Sequence, residues 1–199
     1  IVIKNLFRRT KLFDYLKDSV SILNKYVIGI GDRPDTVAAK LYGNGDLHWT
    51  FFLVNDFDNY YDWWKDQITF ENYINHKYKG KFFVCNSISD IVSPTSKFLL
   101  GESITGTNSR GIIIDVDPTM CRIGVEVEVG FQNVMEVTGS TSNKTVTPLS
   151  IIDARDGVAY YEKDGVKSTH FVSGSTAKSL WEDEYEKNEK KRLIKIIKP

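Results

Sequence analysis

The sequence predicts an α+β chain: a small module of one strand and short helices with an N-terminal arm, an inserted all-β barrel-like domain, and a C-terminal helix followed by a strand. Three observations lead there. Helix start and stop signals crowd residues 32–56, where Pro34 and acidic neighbours open one helix and Gly43 closes it. From residue 81 the composition changes to short β-branched runs separated by Gly, Ser, Thr and Asn. Near the end, a run with acids first and bases last leads into the apolar stretch Leu193-Ile194-Lys195-Ile196-Ile197.

These shifts divide the chain into an arm (1–24), the module with its following helix (25–80), the β insertion (81–172) and the C-terminal helix and strand (173–199). In the arm, Leu12, Phe13, Leu16, Val20 and Leu23 recur at helical spacing, and such apolar residues need a neighbour to cover them. Tyr26 to Ile30 reads as the first strand and Thr36 to Tyr42 as the first helix. Asp46 is placed to cap a second helix, Leu47 to Asn55, which is apolar nearly all round. A third helix begins after Thr69. Within the insertion, 82–84, 111–116 and 124–129 read as strands. Phe98, Ile104, Thr105, Gly106 and Ser109 recur 33 residues later as Phe131, Val137, Thr138, Gly139 and Ser142. One repeated pair suits two related hairpins in a small barrel better than a solenoid. The last helix is expected over 177–190.

Twenty-six basic and 26 acidic residues cancel, so no global field draws the chain to nucleic acid or an anionic membrane. Hydrophobic residues make up 41%, enough to bury a core, yet no apolar run reaches the roughly 18 residues that span a bilayer. Cys85 and Cys121 form no zinc-type cluster and fit free thiols in a reducing cytoplasm. The chain opens on Ile1 without an initiator methionine and stops on Pro199 after an apolar run, and both ends are expected to be trimmed, a removed signal peptide being the alternative for the start.

A search for chemistry finds no active site. His48, His76 and His170 have no metal-ligand spacing, and neither a nucleophile elbow nor a phosphate loop is present. Gly29-Ile30-Gly31 follows a strand, but Pro34 stands where the third glycine of a dinucleotide fingerprint belongs. No catalytic residue, metal or cofactor is expected. The dense signal is aromatic: 9 of the 23 residues from Tyr42 to Trp64 are Phe, Tyr or Trp. Trp49, Phe51 and Phe52 are expected in the core. Trp63 and Trp64 are adjacent and cannot both point inward from a regular helix or strand, so at least one should meet a partner. Aromatic rings with a polar handle serve interfaces and stacking platforms, which means binding rather than catalysis.

Gly31-Asp32-Arg33-Pro34-Asp35-Thr36-Val37-Ala38, Leu41-Tyr42-Gly43-Asn44, Leu47-His48-Trp49 and Val54-Asn55-Asp56 together resemble a LysM-type module, which implies a LysM-like βααβ fold for this part of the chain. With Phe7-Arg8-Arg9, Tyr60 to Trp64, Tyr73-Ile74-Asn75 and Glu186 to Ile197, the pattern is similar to the small LysM-containing baseplate wedge subunit of contractile-tailed, T-even-type bacteriophages. The likeness covers roughly 1–80 and 175–198; the region near 82–172 departs from it.

The resemblance implies a structural virion protein, assembled in the host cytoplasm, that clamps wedge subunits and helps join six wedges around the hub. It implies other wedge subunits as partners, six copies per baseplate, without nucleic acid or membrane. Asp32, Pro34, Tyr42, Gly43, Trp49, Asn55 and Asp56 carry over as fold-defining positions. Phe7, Arg8, Phe13, Tyr60, Tyr61, Trp63, Trp64, Ile194 and Ile196 are the interface candidates, with the terminal strand suited to strand addition. The alternative is a LysM carbohydrate-binding module held on peptidoglycan. On this reading Trp49→Ala costs about 3–5 kcal/mol as a core truncation, and Trp64→Ala leaves the fold intact.

Overall fold

The computed structural model describes residues 14–17, 21–131 and 134–199. Phe7, Arg8 and Phe13, with most of the expected arm, lie outside the described residues. In chain order come α1 (Asp14–Lys17), β1 (Leu23–Val27), α2 (Pro34–Tyr42), α3 (Trp49–Asn55), α4 (Gln67–Lys77), β2 (Lys81–Val84) and α5 (Ile88–Ile91). Then follow β3 (Ser103–Gly106), β4 (Ser109–Asp117), β5 (Arg122–Val129), β6 (Val137–Gly139), β7 (Thr145–Val146) and β8 (Ser150–Asp153). The chain ends with β9 (Val158–Lys163), β10 (Val166–Ser168), β11 (Thr176–Ser179), α6 (Leu180–Lys190) and β12 (Leu193–Ile197). Helix and sheet are mixed, and the larger sheet curls into a half-barrel. Two compact units result: Ile1–Phe70 with Tyr185–Pro199, and Glu71–Glu184.

In the first unit, β1 ends earlier than the sequence reading has it. The Asp32 carboxylate accepts from the Tyr26 hydroxyl at 2.7 Å and from the Gly29 N–H at 2.9 Å, which turns the chain before residue 30. Pro34 then occupies the first position of α2, where its missing N–H costs nothing. The Thr36 hydroxyl accepts from the Arg33 N–H at 3.0 Å. Gly43, at φ 73°, donates its N–H back to Ala39, a left-handed close that glycine adopts without strain. The single helix expected over 47–55 is instead a 3-10 turn, Gly45–His48, followed by α3. Its cap comes from Asn44, whose side-chain oxygen accepts from the Asp46 N–H at 2.9 Å; Asp46 is the capped residue.

β1 pairs antiparallel with β12, setting Tyr26 opposite Ile194 and Asn24 opposite Ile196. Ile194 and Ile196 pack with Ile28, Val37, Ala38, Phe51, Trp63 and Trp64 in one core. A segment more than 160 residues downstream therefore completes the module.

The second unit is built on an antiparallel sheet of order β7-β6-β3-β4-β5-β2-β8, with a smaller sheet β10-β9-β11. The 33-residue repeat becomes a neighbour relation. Ile104 faces Gly139 and Thr105 faces Thr138 across β3 and β6, while Phe98 and Phe131, with Ile104 and Val137, are buried in one cluster. The repeated glycines have a reason. A Cβ at Gly139 would sit 2.8 Å from the Glu102 carboxylate oxygens, and one at Gly106 would sit 2.8 Å from the Met135 sulfur. Ser179 and Glu182 form a capping box that starts α6, because the residues before it join β11.

Glu102 is only 5% exposed, and its carboxylate accepts from the N–H groups of Leu99 (2.7 Å), Thr141 (3.0 Å) and Ser142 (2.9 Å), and from the Ser142 hydroxyl (2.9 Å). Burial by itself would raise its pKa, but these four bonds outweigh it and hold the group below the usual carboxylate range. Because the folded pKa is the lower one, the stabilisation is complete above the unfolded value and is lost as pH falls through the folded value. Urea unfolding of the wild-type chain should therefore show stability dropping below about pH 4.5, the ordinary range of a free glutamate. Glu102→Gln should be less stable at pH 7 by about 2 kcal/mol and should show a flatter acid limb. Parallel acid limbs would remove Glu102 as a pH-sensitive staple.

Candidate functional site

The aromatic segment folds around a 3-10 turn, Tyr60–Asp62, started by Asn59, whose side-chain oxygen accepts from the Tyr61 N–H at 2.8 Å. Trp63 leaves that turn with extended backbone, φ −60° and ψ 146°. In an irregular segment of this kind adjacent side chains need not point to opposite sides, and both indoles turn inward: Trp63 is 5% and Trp64 9% exposed. This corrects the reading of either ring as an interface residue. Trp63 packs edge-on against Phe52 and Phe57 and tilted against Phe51, with centroids 5.9–6.5 Å apart, and its Nε1–H donates to the Asp32 carbonyl at 2.9 Å.

Trp64 Nε1–H donates to the Glu189 carboxylate at 2.9 Å, and the Arg192 guanidinium lies 5.0 Å over its ring. Beside it, Asn188 exchanges two bonds with the Lys65 backbone, at 3.0 and 2.8 Å, and Lys191 reaches Asp62 at 2.9 Å. Burial opposes ionisation of Asp62, yet the Lys191 ammonium and the N–H groups of Asp58 and Asn59 bring its pKa below the ordinary value. Burial, then the bond to Asp32 and its charge, push the Tyr26 phenol up to about 12, so it remains a donor.

Ile194 and Ile196 are also buried, at 1% and 4%, because their side chains face this chain's own core. They are corrected from interface to core positions. The backbone of β12 is occupied on the side away from β1. The Asn55 side chain donates to the Lys195 carbonyl at 2.8 Å and accepts from the Lys195 N–H at 2.8 Å, and the Tyr42 hydroxyl donates to the Ile197 carbonyl at 2.9 Å. Strand addition to that side of β12 is blocked. Trp49 is corrected in the other direction: expected in the core, it is 53% exposed, since the 3-10 turn before α3 rotates the helix and puts Phe51 (0%) and Val54 (2%) inward.

Within the aromatic segment from Tyr42 to Trp64 the exposed rings are thus Trp49, Tyr60 (50%) and Tyr61 (80%). The two tyrosines rim a cleft of about 290 Å³ that Asp32, Arg33, Trp63 and Lys65 also line. Its walls offer ring faces and a few charged or amide groups, a surface for stacking and hydrogen bonding. Among the described residues no group of three His, Cys, Asp or Glu side chains could hold a metal ion, and no helix is long and apolar enough to cross a membrane. Sequence reasoning missed Asn188 and Glu189 as partners of the aromatic segment. They stood in the quoted Glu186 to Ile197 motif, but inside a charged helix, where a solvated face is the default reading.

This fold and surface coincide with a match in sequence. The family described as base plate wedge protein 53 matches residues 1–91, so the resemblance to phage baseplate wedge subunits, structural parts of the virion tail, is shown over that stretch. The particular relative is the baseplate wedge protein gp53 of Enterobacteria phage T4, 34% identical over 83 residues. The match takes in 40% of this chain and 41% of the T4 protein, so the chain spans about two fifths of that relative's length.

Burial decides the mutational outcome. Trp64→Ala should destabilise the chain by about 3–5 kcal/mol, whereas Trp49→Ala should cost about 1 kcal/mol or less. Chemical denaturation followed by tryptophan fluorescence checks the order, and the opposite ranking would mean α3 is rotated from the position described.

Proposed function

We propose that the chain is a structural, non-enzymatic subunit of a contractile phage tail baseplate, which clamps wedge subunits together and helps join the wedges around the hub. The observation that carries this is the baseplate-wedge likeness over residues 1–91, which takes in every element of the first unit from α1 through α3. We read that unit as a LysM-like βααβ module in which β12 is the second strand, supplied from the far end of the chain. Its use is protein contact. Tyr60, Tyr61 and the half-exposed Trp49 are the aromatic contacts, with Phe7, Arg8 and Phe13 in the arm. Large rings at an interface core supply much of its binding energy. Six copies in a ring would strengthen modest contacts through avidity. The second unit lies beyond most of the matched stretch and would add contacts of its own.

A second reading, attachment to peptidoglycan, is favoured by one observation: the cleft rimmed by Tyr60 and Tyr61 has ring faces of the kind that stack on sugars. One retention experiment separates the two, with the purified chain offered immobilised wedge subunits and insoluble peptidoglycan side by side. The wedge reading expects retention on the subunits alone, weakened about tenfold or more when Tyr60 and Tyr61 are both changed to Ala. Retention on peptidoglycan alone would overturn it in favour of the carbohydrate reading.

A further inference from the structure

The two-stranded sheet of the first unit has two edges, and they differ. Parity is fixed by the bonds flanking the ladder: the Ile28 N–H donates to the Arg192 carbonyl, and the Lys198 N–H to the Ile22 carbonyl, each at 2.9 Å. Bonded and non-bonded pairs alternate along an antiparallel ladder. The N–H and C=O groups of Leu23, Lys25 and Val27 therefore point away from β12, and those of Leu193, Lys195 and Ile197 point away from β1. On β12 that outward row is held by Asn55 and Tyr42, the asparagine amide standing in for one residue of a third strand. On β1 no described residue bonds the outward backbone groups of Leu23, Lys25 or Val27.

We propose that the outer edge of β1, Leu23 to Val27, is a docking edge that takes an extended segment of another subunit, one carrying an acidic residue beside Lys25 and an apolar residue beside Val27. Main-chain bonds to a sheet edge supply affinity, and alternate side chains supply selectivity. Lys25 is exposed and lies at the middle of this edge, so a third strand places its own residue next to the Lys25 ammonium group. A carboxylate there makes a cross-strand pair of opposite charge. The next pair on the face of Lys25 is Val27 with Leu193, 58% and 52% exposed, which suits an apolar neighbour.

The same geometry disfavours a second copy of this chain. Antiparallel self-pairing centred on Lys25 would set two Lys25 side chains directly opposite each other. The lysine that guards the edge against self-association selects an acidic visitor. This inference deepens the assembly reading and rests on it for the kind of partner.

The test uses the full chain and backbone amide exchange, with two nine-residue probes of alternating Val and Thr that differ only in a central Glu or Lys. With the Glu probe, exchange at the Lys25 amide should slow about tenfold or more, with Leu23 and Val27 following, while the Lys probe has little effect. Lys25→Glu should invert the preference. Lys25→Pro, which removes an outward N–H and no ladder bond, should abolish protection by both probes.

Equal protection by both probes, or protection away from β1, overturns the proposal. The same exchange measurement in the presence of wedge subunits keeps the two readings apart. A complex that leaves Lys25 exchange unchanged overturns the docking edge while the assembly role stands. Protection by the Glu probe with no wedge complex upholds the edge and overturns the assembly role.

Discussion

The first unit depends on one long-range pairing, β1 with β12. The strands are short, and a two-stranded ribbon in water is marginal by itself. What holds this one is the double attachment of β12, by its inward side chains and by its outer edge. Ile194 and Ile196 bury into the core beneath α2 and α3, and Asn55 and Tyr42 fix the outward backbone of β12. The end of α6 adds Asn188, Glu189 and Lys191, which bind the segment from Asp62 to Lys65. The aromatic cluster is therefore held from behind by the last fifteen residues of the chain, and the exposed tyrosines in front of it stand on a supported base.

Much of this was legible in the sequence where local chemistry decides structure. Pro34 and Gly43 mark the ends of α2 because fixed φ and left-handed φ are properties of those residues, independent of neighbours. The strand read over 124–129 lies within β5. The 33-residue repeat pointed to related hairpins, and the two copies do lie side by side.

The misreadings share a cause. Trp49, Trp63 and Trp64 were judged by regular periodicity, but two 3-10 turns interrupt the segment and reset which direction each ring faces. Ile194 and Ile196 read as an exposed terminal strand because nothing local says that residues 130 or more positions upstream will cover them. Asn55 was singled out as part of a motif, yet its role as a surrogate strand residue becomes visible only when Lys195 lies beside it. Tertiary partners decide such residues, and sequence spacing does not record them.

The placement of β12 also governs the order in which the chain can mature. The second unit is contiguous, Glu71–Glu184, whereas the first waits for Tyr185–Pro199. During synthesis from the N terminus, the second unit can therefore close while the aromatic segment of the first still lacks Ile194 and Ile196. A ribosome that stalls before residue 193 releases a chain whose ring cluster has lost one wall of its core. The core of the first unit is therefore closed only once residues 193–197 have been made, after every residue of the second unit.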